Sequence, residues 1–371
     1  MGRGSGLISI WLSFTILLLS AGLVSHVMSI PIILGVAHRD SWLSVILAAP
    51  FFLLWIFILF GILKQLHGQR LPDWIEREFG VVPAWIFRLS AVILVFASGS
   101  YTLHDTSMWT GVTYMQQTPL VVIIVIAVVI SMLAAYGGLR SIAMTSGILL
   151  PFVVFLGYFV SIANTKYKDY SLLFPILEEG WQPVWSGMFY ALSGLLELWV
   201  LLLFQHQLRS KLRWWHLTLL ALFMLGMVVG PIIGAITEFG PQEAAKQRHT
   251  AFEQWKIVTI GKLLQHVDFL SIYQWLCGSF ARIAISLYLI TDLLNVRKPL
   301  KRGITLSVIS VCMTIVAIYP WRDDQTLSYL ARIHFPVSAV YVLSLTFILA
   351  IAVLIRSKRK ETNVNDSNQQ P

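Results

Sequence analysis

Charge is scarce in this chain: Asp, Glu, Lys and Arg make up 12% of its 371 residues, about half the share a soluble domain carries. So low a content excludes a soluble fold with a solvated surface. Cysteine is rarer still, with two residues, Cys277 and Cys312, both inside apolar runs. Neither belongs to a CxxC pair or has histidine at ligand spacing, which excludes a disulfide framework or zinc site and leaves them as reduced packing residues. The nine histidines are dispersed, and their spacings fit no metal site. HExxH, GxSxG, phosphate-loop and dinucleotide motifs are all missing. No enzyme, cofactor or metal is expected.

Apolar residues fill the space that charge leaves, at 57% of the chain with a mean hydropathy of +0.74. Runs of about 20 apolar residues, enough to cross a hydrocarbon core roughly 30 Å thick, recur along nearly the whole length. The first begins at Leu7 and is too long for a signal peptide's apolar region, so it counts as a span. Ten spans result: 7–34, 43–63, 83–110, 119–136, 142–163, 184–205, 216–238, 268–292, 304–320 and 335–355. Alternating polar positions for a barrel are absent, so the expected class is all-α and polytopic. Residues 1–355 form the transmembrane domain. The basic, then polar 356–371, "RSKRKETNVNDSNQQP", is expected to be a disordered cytoplasmic tail.

The net charge of +9 is scattered between spans and points to topology, not to nucleic acid. With the N-terminus inside, sixteen Lys and Arg fall on the cytoplasmic side and nine outside, which places both termini in the cytoplasm. Ten helices divide into two fives, and a half with an odd number of crossings has to be inverted relative to its partner, as in many secondary transporters. The longest outside connection, 239–267, has the amphipathic character of one or two short surface helices.

Ionisable groups within spans are costly and are functional candidates by default. Glu197 sits mid-span in "YALSGLLELWVLLLF", three residues beyond Ser193 and Gly194. Arg282 in span eight is a possible ion-pair partner. Span three carries Ser98, Tyr101, His104 and Asp105 in "FASGSYTLHDTSMW". The first span interrupts its own helix in "LLLSAGLVSHVMSIPII", where Gly22, Ser25, His26, Ser29 and Pro31 cluster. Two readings remain for it: a broken helix turning backbone groups toward a ligand, or a packed helix with a proline kink.

Several stretches together resemble the spore-permease family, the polytopic B subunits of spore germinant receptors in the amino acid, polyamine and organocation transporter superfamily. They are "SIP" at the end of span one, "QTPL" at 117–120, Glu197 in span six, the segment from Phe252 through "DFLSIYQWLCGSFARIAISLYL", and "YPWRDDQTLSYL" from Tyr319. The resemblance implies a LeuT-like fold of two inverted five-helix halves. It also implies a role in nutrient sensing, with an A subunit and a lipoprotein C subunit as partners in the inner spore membrane. Some positions depart from the family. Val24, Ser25 and His26 stand where a Gly-x-Gly-like run is common. Leu195 replaces a glycine two residues before the glutamate, and Leu203 replaces a proline six residues after it.

The ligand-binding set read from this is Gly22, Ser25, His26, Ser98, Tyr101, Ser193, Gly194, Glu197 and Arg282. The leading function is a receptor subunit binding a small nutrient, amino acid or sugar, between spans one, three, six and eight. A proton-coupled permease is the alternative, and an ion-conducting or scaffolding subunit the third. Expected partners are the nutrient, the A and C subunits and membrane lipid.

Overall fold

A computed structural model describes residues 7–66, 68–259 and 267–367. Hydrocarbon leaves a backbone no water to bond, so the chain satisfies itself in helices. Among the described residues the one β-type contact is a bridge between Ile8 and Leu208, which ties the start of span one to the end of span six.

Span one comprises α1 (Ile10–Leu23), a wide π turn (Val24–Met28) and α2 (Ile30–Ala37). Span two is α3 (Ser41–Leu66). The two form one 57-residue helical run, about 85 Å if straight, and the chain turns within it at His38–Asp40, where His38 adopts φ 42°. α4 (Leu71–Phe79) is a short connecting helix, followed by α5 (Val81–Thr113), α6 (Leu120–Gly137) and α7 (Leu139–Ala163) as spans three to five. Gly138, at φ 93°, alone separates α6 from α7, a conformation glycine adopts without steric cost. Span six combines α8 (Trp181–Leu195), a tightened 3₁₀ segment (Leu196–Val200), α9 (Leu201–Phe204) and a last 3₁₀ turn to Gln207. α10 (Trp214–Phe239) is span seven, and α11 (Pro241–Ala244) and α12 (Thr250–Lys256) are the two short helices of the long connection, whose residues 260–266 lie outside the described residues. α13 (Leu270–Leu293) and α14 (Pro299–Ile318) are spans eight and nine. Span ten runs through α15 (Asp323–Tyr329), a second π turn (Leu330–His334) and α16 (Phe335–Ser367).

The ten expected crossings are therefore present in a multi-pass membrane protein, with edges shifted by a few residues. One expectation changes and one open reading narrows. α16 continues to Ser367, through the part of 356–371 read as a disordered tail, because no proline or glycine stops it before Pro371; residues 368–371 lie outside the described residues. Span one is distorted without being broken into an extended strand: the Ser29 N–H reaches back five residues to the Val24 carbonyl at 2.9 Å, and Ser29 Oγ donates to the Ser25 carbonyl at 3.0 Å. Pro31 brings no N–H to the ladder, and the wide turn falls immediately before it.

Burial separates centre from rim. In α13 83% of the most apolar stretch is buried, against 11% for α7. Spans one, three, six and eight enclose the centre, and α6, α7, α14 and α16 present large apolar residues outward, as lipid-facing helices do.

Candidate functional site

Glu197 lies in the 3₁₀ segment of span six, whose tighter winding follows directly on Ser193 and Gly194. Opposite it, Arg282 projects from α13. The two meet as a fork: Arg282 Nη1 donates to Oε2 at 3.3 Å and Nη2 to Oε1 at 3.1 Å. Arg282 Nη1 also reaches the Ser20 carbonyl of span one at 3.4 Å, and Nη2 donates to Ser98 Oγ of span three. One guanidinium thus joins spans one, three, six and eight. Glu197 is 5% and Arg282 3% exposed, so neither charge is solvated. At such burial desolvation consumes much of the Coulomb attraction, and removing either partner leaves an uncompensated charge.

A gap of about 20 Å³ beside the pair, bordered by Ser20, Ser98, Trp199 and Ser286, has room for roughly one water molecule. The centre is closed in this conformation. On one side His334, the last residue of the π turn in span ten, brings Nε2 to 4.0 Å from Glu197 Oε1. The Tyr101 ring lies nearly parallel to the His334 ring, 6.4 Å between centroids.

Tyr101 begins a second polar layer nearer the 240–259 connection. Arg248 from that connection donates to Asp105 Oδ1 at 2.6 Å and Tyr101 Oη at 3.4 Å, and to Asp323 Oδ1 at 3.1 Å. The coulombic pull of Asp105 and Asp323 raises the Arg248 pKa against the opposing effect of burial. Next to it Trp109 and Trp275 stack at 4.1 Å, and His249 sits edge-on to Trp275 at 5.0 Å. Burial, which disfavours the charged form, holds His249 down to about 4. Arg248 is the clasp of a cap over the centre.

The sequence-derived set does not converge on one point. Ser98, Glu197 and Arg282 are in direct contact, and Tyr101 joins them through His334. Ser25 and Gly194 mark where spans one and six touch: a Cβ on Gly194 would stand 3.4 Å from Ser29 Oγ and 3.6 Å from Ser25 Oγ. Ser193 Oγ is turned to its own helix, donating to the Phe189 carbonyl at 2.8 Å. Gly22 and His26 face the other way, onto a cavity of about 440 Å³ between spans one, five, seven and eight. There His26 Nδ1 donates to the Met227 carbonyl at 2.9 Å. Cys277 is buried and Cys312 exposed, and both are free thiols.

Three residues were not legible as site residues. Arg248 reads as ordinary loop charge, Asp323 as part of an exposed acidic pair, and His334 as a residue at a helix entrance. The signal for His334 is "IHFP", a histidine two residues before a proline inside an apolar run, the same combination of ionisable group and helix disruptor as in span one.

A profile of the family described as "Spore germination protein" matches residues 9–326. Spore germination protein XB of Bacillus anthracis is 37% identical over 345 residues, covering 93% of this chain and 97% of that protein. Spore germination protein KB of Bacillus subtilis (strain 168) is 18% identical, covering 90% and 92%. In structure the chain is similar to MhsT in complex with L-phenylalanine, with a TM-score of 0.67 over 92% of this chain and 97% of the other at 13% identity. The likeness establishes a LeuT-like fold with its inverted five-helix halves.

Proposed function

We propose, from the premise that the chain belongs to the spore germination protein family, that it is the transmembrane B subunit of a nutrient-germinant receptor in the inner spore membrane. In this reading both termini are cytoplasmic, an A subunit and a lipoprotein C subunit complete the assembly, and the chain itself performs no covalent chemistry. The observation that carries it is the buried Glu197–Arg282 pair held across four spans. An amino acid presents a carboxylate and an ammonium close together. It can take the place of the internal pair, its carboxylate on Arg282 and its ammonium on Glu197, but only once the spans have moved apart. A ligand that fits the opened centre better than the closed one shifts the population toward the open state, and that shift is the signal. Sugars offer no such charge pair, so amino acids are the favoured class.

Spores carrying Glu197→Ala test this. They are expected to need at least tenfold more nutrient for half-maximal germination. Because the substitution also leaves Arg282 unpaired, at a cost of about 3–5 kcal/mol, receptor abundance is measured by immunoblot. Ser98→Ala, which removes one hydrogen bond and no charge, serves as the milder variant. Normal abundance with an unchanged dose response in both variants removes the pair from nutrient sensing.

The second reading, a proton-coupled permease, draws on His334 beside Glu197, since a histidine and a carboxylate in contact can pass a proton. Uptake of labelled amino acid into proteoliposomes, driven by a pH gradient and lost in His334→Ala, is its expected outcome.

A further inference from the structure

The 440 Å³ cavity is separate from the Glu197 centre, with span one standing between them. It exists because side chains are missing. On α10, Gly226, Gly230 and Gly234 follow one another at intervals of four, on one helical face, and all three line it. A Cβ on Gly226 or Gly230 would meet nothing within 4 Å. Gly157 on α7 likewise leaves room, while Gly22 and Gly278 let neighbouring groups pack closely along the other walls. Most of what remains is apolar: Leu19, Leu23 and Val27 of span one form the inner wall, Val153 and Val154 of α7 face them, and the polar His26, Gln254 and Gln274 are each bonded to a backbone carbonyl. This is about three times the volume of an apolar protein cavity that takes up benzene and stays free of water.

The outer rim decides what can enter. Tyr158 of α7 is 62% exposed and Leu222 of α10 52% exposed, and both border the cavity. They lie well inside their spans, so the mouth opens to bilayer hydrocarbon. At the other end, near where α10 leaves the membrane, Lys168 lines the cavity with its Nζ 3.7 Å from Glu238 Oε1. Lys166 lies just beyond, donating to Thr259 Oγ1 at 2.8 Å. The cavity is therefore amphipathic along its length, mostly apolar at depth and closed at headgroup level by the Lys168–Glu238 ion pair, with the Lys166 ammonium just beyond it. We propose that it is a site for one phospholipid acyl chain, inserted between α7 and α10 with its headgroup at Lys166 and Lys168. Burying each methylene among close-packed walls gains dispersion contacts that a disordered bilayer chain lacks. Its inner wall is the segment that includes the π turn of span one, so an inserted chain presses on the most deformable part of a helix that also borders the Glu197 centre.

The test is photo-crosslinking in liposomes made with phosphatidylglycerol carrying a diazirine in one acyl chain, with labelled peptides mapped by mass spectrometry. Leu19 is 3% exposed and is reached only by a chain that has entered, whereas Ile315 on α14, 64% exposed, reports ordinary lipid contact. The expected result is labelling of Leu19 and Val27 in the native protein, falling at least fivefold in Gly230→Leu while Ile315 labelling stays constant. Gly226→Leu repeats the comparison if Gly230→Leu does not assemble. A parallel arm with a diazirine-bearing free fatty acid identifies the source of the chain: stronger labelling of Leu19 by the fatty acid than by the phospholipid overturns the assignment to phospholipid. Labelling of Tyr158 and Leu222 with none at Leu19 or Val27 of the native protein overturns the site altogether. Neither readout depends on nutrient response.

Discussion

His26 and His104 perform one task in different helices. Pro231 cannot donate to the Met227 carbonyl four residues before it, and the His26 ring supplies that bond from span one. His104 Nδ1 likewise donates at 2.8 Å to the Ala317 carbonyl near the end of α14, one of the acceptors a helix terminus leaves open. Both rings are thus hydrogen-bonded partners of backbone carbonyls that have no helical donor, and the His26 ring also borders the lateral cavity. The expected consequence is that His26→Ala lowers thermal stability, by about 1–3 kcal/mol for a buried carbonyl left unpaired, while His26→Gln, which keeps a donor, recovers most of it. Thermal unfolding of the two purified variants in detergent checks the order, and equal melting temperatures would deny His26 this duty. Sequence alone showed that His26 was out of place in an apolar helix; it held no sign that the partner would be a carbonyl two hundred residues away.

At the scale of elements, three spans depart from regular α-helix where they approach the centre. Spans one and ten widen into π turns and span six tightens into 3₁₀. The first distortion was legible from Ser25, His26 and Pro31. The third was foreshadowed only by Gly194, and the one in span ten only by His334 two residues before Pro336, since nothing in "LARIH" by itself disfavours a helix. The cap between α10 and α13 is a further element whose role came from packing. Arg248→Ala leaves Asp105, 4% exposed, without its cation, and is expected to weaken closure by about 3 kcal/mol. Spin labels at Lys246 and Thr118, read by pulsed electron resonance, are expected to show a broader and longer distance in this variant.

The same distance reports on pH. Burial keeps His249 at about 4 in the closed cap, whereas an opened cap returns it toward the ordinary value near 6.5. The closed form then binds fewer protons, so its stability is fully present above about 6.5 and is lost progressively as pH falls toward 4. Burial, the largest effect, lowers the value together with Arg248 and Lys256, against the upward pull of Asp105 and Asp323. Opening at pH 5 is expected in the native protein and not in His249→Gln; a distance independent of pH would exclude the histidine.

For the whole molecule, the balance of sixteen against nine basic residues leads to an expected topology with both ends cytoplasmic. Green fluorescent protein fused after Pro371 should fluoresce, and alkaline phosphatase inserted at Gln242 should be active. The reverse pattern would invert the assignment. Ten crossings, the all-helical class and the family were determined by the sequence itself, because hydropathy over some twenty residues and the demand for internal backbone bonds act locally and leave few solutions. Tertiary structure alone decided which of the nine candidate residues share a site. Ser98, Glu197 and Arg282 converge, while Gly22 and His26 face a different cavity on the far side of the same helix. Which face of a distorted helix points where depends on the winding of its turns and on neighbours distant in sequence, and neither is encoded in local hydropathy.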